Sequence, residues 1–158
     1  MLKKFSHYYS TYTLIEKITA NTYVSNLFWN TNINKVVFIG GFDNMKARKD
    51  FYELWKHSSS PLLIDGRLSI DTLQVYVVQN KTECKKEYEK TLFDDSEADR
   101  TICNLKQTTF MASMIASFII NVITNYVANI DIEDDDLKNE IPFSIEYDCN
   151  TMFCKITD

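Results

Sequence analysis

Chemistry in this chain has to rest on carboxylates, arginines and cysteines, because the other usual participants are scarce. Two histidines, His7 and His57, stand far apart, so there is no H-E-x-x-H helix and no histidine-rich metal site. Three glycines, Gly40, Gly41 and Gly66, cannot be arranged into G-x-G-x-x-G or G-x-x-x-x-G-K-[ST]. A self-contained phosphate cradle of either kind is therefore excluded.

Three short constellations stand out. Gly40 to Arg48 reads G-G-F-D-N-M-K-A-R. Its glycines let backbone approach a ligand, Asp43 can hold Mg²⁺ or a polar ligand atom, Asn44 lies beside it, and Arg48 follows one helical turn on. The ordinary alternative is an Asp43 that caps a helix and an Arg48 that is solvated. Asp65-Gly66-Arg67 brings a carboxylate and a guanidinium to the end of another apolar run; an Asp-Gly turn with a surface arginine is the equal alternative. Cys103, in R-T-I-C-N just ahead of a long apolar tract, would have its thiolate favoured near a helix amino terminus, with Arg100 adding to the effect. A free cysteine is also a common small core residue. Two further clusters are weaker. The acidic run Asp131 to Glu140 has no glycine at the sixth position of a calcium loop and Pro142 where a bidentate Glu belongs, which reads as a solvated loop. Cys149 and Cys154 have no second close pair with which to hold zinc.

The elements that must position these residues follow from periodicity. Tyr12 to Ile18 reads as a short strand and residues 19 to 33 as a short helix and loop. Lys35 to Gly40 is a β-branched run ending in two glycines, as expected of a buried parallel strand. Asp43 is the natural N-cap of a helix over Asn44 to His57, which Ser58 to Pro61 breaks. Leu62 to Asp65 is a second buried strand, ended by Gly66-Arg67, so that a β-α-β unit places its loops at the carboxyl ends of parallel strands. Thr72 to Val78 reads as a strand, antiparallel to its neighbours; residues 81 to 91 as an exposed charged helix; Phe143 to Asp148 and Thr151 to Ile156 as a hairpin around Cys149-Asn150. The expected class is α/β, a mixed sheet with a parallel β-α-β core and a C-terminal β-hairpin, in one domain over residues 1–158.

The chain has 158 residues, 45% hydrophobic and 25% charged, which is ordinary for a globular domain and argues against a disordered or low-complexity chain. Residues 1–91 carry 13 Lys/Arg against 9 Asp/Glu, whereas residues 92–158 carry 4 against 13. The acidic total argues against a general nucleic-acid binder, although a local basic site stays open. The start M-L-K-K-F-S-H lacks the apolar core of a signal peptide, and no C-x-x-C occurs, so free thiols in a reducing cytosol are expected. Gln107 to Ile130 contains no charge and has the length to span a bilayer. A polar residue every four positions, from Thr109 through Ser113, Ser117, Asn121 and Asn125 to Asn129, argues instead for a helix largely buried in protein or lining a subunit interface. A membrane span is the minor alternative.

In type and order these pieces resemble the carboxyl-terminal half of the ThiF/MoeB family, relatives of ubiquitin-activating enzymes that adenylate the C-terminus of ubiquitin-like proteins. The resemblance runs along residues 35–157: K-V-V-F-I-G-G-F-D-N-M-K-A-R, then P-L-L-I-D-G-R-L-S-I-D-T-L-Q-V-Y-V-V, then R-T-I-C-N before a long helix, then the terminal hairpin. Its D-N-M-K-A-R and I-D-G-R are most similar to ThiF-like proteins of phage or bacterial genomes. The resemblance implies an incomplete Rossmann-like ThiF fold with ATP and Mg²⁺ as cofactors, bound weakly or not at all by this chain alone. It implies that Asp43 helps to hold the Mg²⁺ and that Cys103 can take over the activated acyl group. Gly40, Gly41, Asn44, Arg48, Asp65 and Arg67 would form the nucleotide or substrate site. No zinc is implied, because the family's paired C-x-x-C motifs are missing. The half that carries the glycine-rich nucleotide loop has no counterpart in this sequence, so the expected partner is that half or a second copy. A ubiquitin-like protein or peptide tail would be the substrate; neither nucleic acid nor membrane is expected. The alternative is a non-catalytic protein-interaction module built on the same sheet.

Overall fold

The structure, a computed structural model, describes residues 36–69, 71–94 and 109–158. The strand expected at Tyr12 to Ile18, the helix and loop at 19 to 33, and Arg100 and Cys103 lie outside the described residues. Val37-Phe-Ile-Gly forms β1 (Val37–Gly40), and the chain turns into α1 (Met45–Lys56). The N-cap of α1 is Asn44 and not Asp43: the Asn44 side-chain oxygen accepts a hydrogen bond from the Ala47 amide at 2.7 Å. Asp43, one residue too early to reach the first free amides of the helix, accepts instead from the Asn44 side-chain amide at 2.9 Å.

After Ser58 to Pro61, β2 (Leu62–Leu68) runs straight through Gly66-Arg67, where an end at Asp65 was expected, and then turns back into β3 (Thr72–Gln79). The extension is tertiary in origin, since Gly66 and Arg67 pair across β3 with Val75 and Gln74. Next come α2 (Thr82–Glu89), α3 (Thr109–Ala128), two 3₁₀ turns (Asn129–Asp131 and Asp135–Leu137), β4 (Ser144–Asp148) and β5 (Phe153–Thr157). The five strands form one mixed sheet in sequence order. β1 is parallel to β2, with Gly40 opposite Asp65, and each later pair is antiparallel. The expected β-α-β core, antiparallel third strand and C-terminal hairpin are all present. The hairpin turn spans Cys149 to Met152, with Met152 in the left-handed region at φ 54°. Cys84, Cys149 and Cys154 are free thiols.

Because side chains alternate along a strand, the sheet has two packed faces. Leu62 and Ile64 of β2 with Leu73, Val75 and Val77 of β3 meet Met111, Ile115 and Val122 of α3. Leu63 and Val78 on the opposite face meet Tyr52, Leu54, Trp55 and Tyr88 from α1 and α2. Gly66 admits α3 closely: a Cβ there would lie 3.1 Å from Ile115 Cδ1 and 3.3 Å from Ile119 Cδ1.

The segment Thr109–Asp131 is long and apolar enough to cross a membrane by length and composition. In the structure α3 packs on the sheet by one face but is not largely buried; only Met111, Ile115 and Val122 are. Phe110, Ile120 and Val127 point outward and are exposed. Its polar residues find partners mostly within the helix itself, apart from Asn129, which bonds Asn139. Ser113 donates to the Thr109 carbonyl, Ser117 to that of Ser113 and Thr124 to that of Ile120, while Asn125 donates to the Asn121 side chain.

Candidate functional site

Asp65 projects from β2 toward α1 and α2 and is 1% exposed. One carboxylate oxygen accepts from Arg48 Nε at 2.9 Å; the other accepts from Arg67 Nε at 2.7 Å and from the Tyr88 hydroxyl at 3.0 Å. Arg48, on the inner face of α1, also donates through Nη2 to the Phe42 carbonyl at 2.8 Å, which fastens the turn after β1. Arg67 donates through Nη1 and Nη2 to the carbonyl and hydroxyl of Thr91 at 3.0 and 2.9 Å. Its guanidinium stacks over Tyr76, 4.4 Å from the ring centre, and lies 5.6 Å from that of Tyr88. Burial, reinforced by the charge of Asp65, pushes the Tyr88 phenol well above its ordinary range.

The network is a clamp joining β2, α1 and the end of α2. With three donors on two oxygens, the Asp65 carboxylate is committed, and it is not placed to serve as a base or metal ligand. Two guanidinium charges face one carboxylate, so the clamp itself carries an excess positive charge. Of the four residues expected to face one cleft, Arg48, Asp65 and Arg67 come together and are packed. Asp43 stays outside the network. Arg48 and Arg67 are not the solvated arginines of the ordinary alternatives, and Asp65-Gly66 is strand and not turn.

Asp43 is exposed at the carboxyl end of β1, with one oxygen held by Asn44. That leaves a fixed, accessible carboxylate, which fits one ligand of a Mg²⁺ whose other positions go to phosphate and water. Among the described residues no three His, Cys, Asp or Glu side chains cluster to hold a metal by themselves. None of the glycines has a positive φ. Gly41 has open space around its α-carbon, room that a ligand can use, whereas a Cβ on Gly40 would come within 3.1 Å of the Phe42 ring.

Tyr88, Thr91 and Tyr76 were missed by sequence reasoning. The signal for Tyr88 was one aromatic in an otherwise charged helix; Thr91 and Tyr76 left none. No protein-family model matches this chain, and no curated protein is significantly similar to it.

Proposed function

We propose that this chain is the carboxyl-terminal half of a ThiF-like adenylyltransferase, working in a reducing cytosol on the C-terminus of a ubiquitin-like protein or peptide. The observation that carries the reading is an accessible Asp43 carboxylate next to Phe42, whose carbonyl is held by Arg48 of the net-positive clamp, where the parallel pairing of β1 with β2 ends. Ligands of open α/β sheets bind at such ends. Residues 1–158 hold no glycine-rich phosphate loop, so the reading requires that half, from a further segment of the same chain or from another polypeptide, to supply the groups that grip the triphosphate. In that pair a substrate carboxylate oxygen attacks the α-phosphorus of ATP and pyrophosphate leaves. The acyl group then passes to the Cys103 thiolate as AMP leaves.

The test is pyrophosphate exchange by the chain reconstituted with a glycine-rich partner half. Exchange is expected to survive Cys103→Ala, because a thiol takes no part in the attack on phosphorus, and to be lost in Asp43→Ala. If Asp43→Ala leaves exchange intact, or if no partner half confers any, the enzyme reading fails. The outward face of α3, uncharged and exposing Phe110, Ile120 and Val127 among neutral polar residues, favours a second reading as a non-catalytic interaction module. That reading expects association to be lost in Ile120→Asp with thermal stability unchanged, checked by sedimentation and calorimetry.

A further inference from the structure

The strand residues packed against α1 and α2 come from β1, β2 and β3, joined by Phe143 just ahead of β4. Past that point the same face of the sheet carries an open cleft of about 600 Å³, lined by Thr72, Glu146, Asp148, Thr151, Phe153 and Lys155. The register explains the lining: Asp148 lies between Thr72 and Phe153, and Glu146 is opposite Lys155. β5 forms the rim. Among the described residues it pairs with β4 alone, and every one of its residues is exposed, Phe153 and Ile156 to 62% each. An edge of this kind offers a row of main-chain donors and acceptors to a further strand.

Charge selects the strand. The cleft holds two carboxylates against one ammonium, and residues 131–158 carry nine Asp/Glu against two Lys. We propose that β5 is a docking edge for an extended basic peptide, which adds as a sixth strand and sets Lys or Arg side chains over the cleft. Period-two alternation places the peptide residues opposite Phe153 and Thr157 on the cleft face. A basic side chain opposite Phe153 lies over the ring and points toward Asp148, the next residue across the sheet. The position opposite Lys155 is uncharged or acidic, since like charges repel there. The recognised pattern is therefore basic-x-uncharged-x-basic. No residue of the proposed adenylation site takes part, so either proposal can fail without the other.

The experiment titrates the full chain into a fluorescein-labelled Thr-Arg-Thr-Val-Thr-Arg-Thr peptide and follows anisotropy, with hydrogen exchange read on the same mixture. Expected are saturable binding that weakens with salt, slowed exchange of amides 153–157, and no binding of the Glu-for-Arg peptide. Backbone N-methylation at alternate peptide residues is expected to abolish binding. Lys155→Glu is expected to tighten binding, and Glu146→Gln to weaken it, each by roughly two- to fivefold, as for exposed charge pairs. Absence of binding, equal binding of the acidic peptide, or an affinity unmoved by Lys155→Glu overturns the proposal. So does protection of 153–157 that grows with protein concentration without peptide, which assigns the edge to a second copy.

Discussion

Asp65 is the side chain on which the candidate site turns, because three donors, from α1, from α2 and from β2 itself, converge on its two oxygens. Asp65→Asn removes the carboxylate between the buried Arg48 and the partly buried Arg67 and is expected to cost about 3–5 kcal/mol, read as a drop in the urea midpoint at unchanged slope. Replacing Arg48, Asp65 and Arg67 together by apolar residues of similar volume is expected to recover most of that loss, since the cost lies in stranding a charge. Tyr88 contributes in the other direction on the pH scale. Its folded-state phenol titrates above the unfolded value near 10, so its contribution is complete below about pH 10 and declines as pH rises beyond it. Its share of the decline is expected at about 1.4 kcal/mol per pH unit, measured by denaturant unfolding between pH 9 and 12, and Tyr88→Phe is expected to make the decline shallower without abolishing it, because burial raises the Tyr52 and Tyr76 phenols as well. Trp55, fully buried, leaves its Nε1 without a hydrogen-bond partner.

The elements divide their work between holding and presenting. Asn44 holds: Asn44→Ala is expected to cost about 1 kcal/mol through loss of the cap on α1. Asp43 presents: Asp43→Ala is expected to change stability by less than about 0.5 kcal/mol, so a loss of activity in that variant cannot be ascribed to unfolding. Thermal melts of the two variants side by side check both statements. The contact of β2 with α3 depends on Gly66. Gly66→Ala sets a methyl against the Ile115 and Ile119 side-chain tips and is expected to cost about 1–3 kcal/mol, with Ile115→Val in the same chain relieving part of it.

For the whole molecule, the sequence alone determined the run of strand, helix, strand, strand and final hairpin, since each rests on neighbours within about four residues: the β-branched run before Gly40, the charged and apolar alternation of α1, the turn after Asp148. Composition alone likewise excluded a self-contained phosphate loop and a histidine-rich metal site. The order of the five strands was not legible in this way, since residues 80–143, which include α2 and α3, separate β3 from β4, and only tertiary structure returns β4 to the side of β3. The site was legible only in its membership. Arg48, Asp65 and Arg67 were each singled out, but whether they lined a cleft or clamped one another depends on which side of the sheet each faces and what packs there. That is set by the register of β2 against β3 and by Tyr88 and Thr91, more than twenty residues further along the chain. The choice of Asn44 over Asp43 as cap turned on one residue of helix phase, which local pattern does not resolve. Tertiary structure also decided the fate of α3. A sequence shows that a helix lacks charge, but only the width of the sheet beneath it determines how much of its surface is covered and how much stays open to a partner.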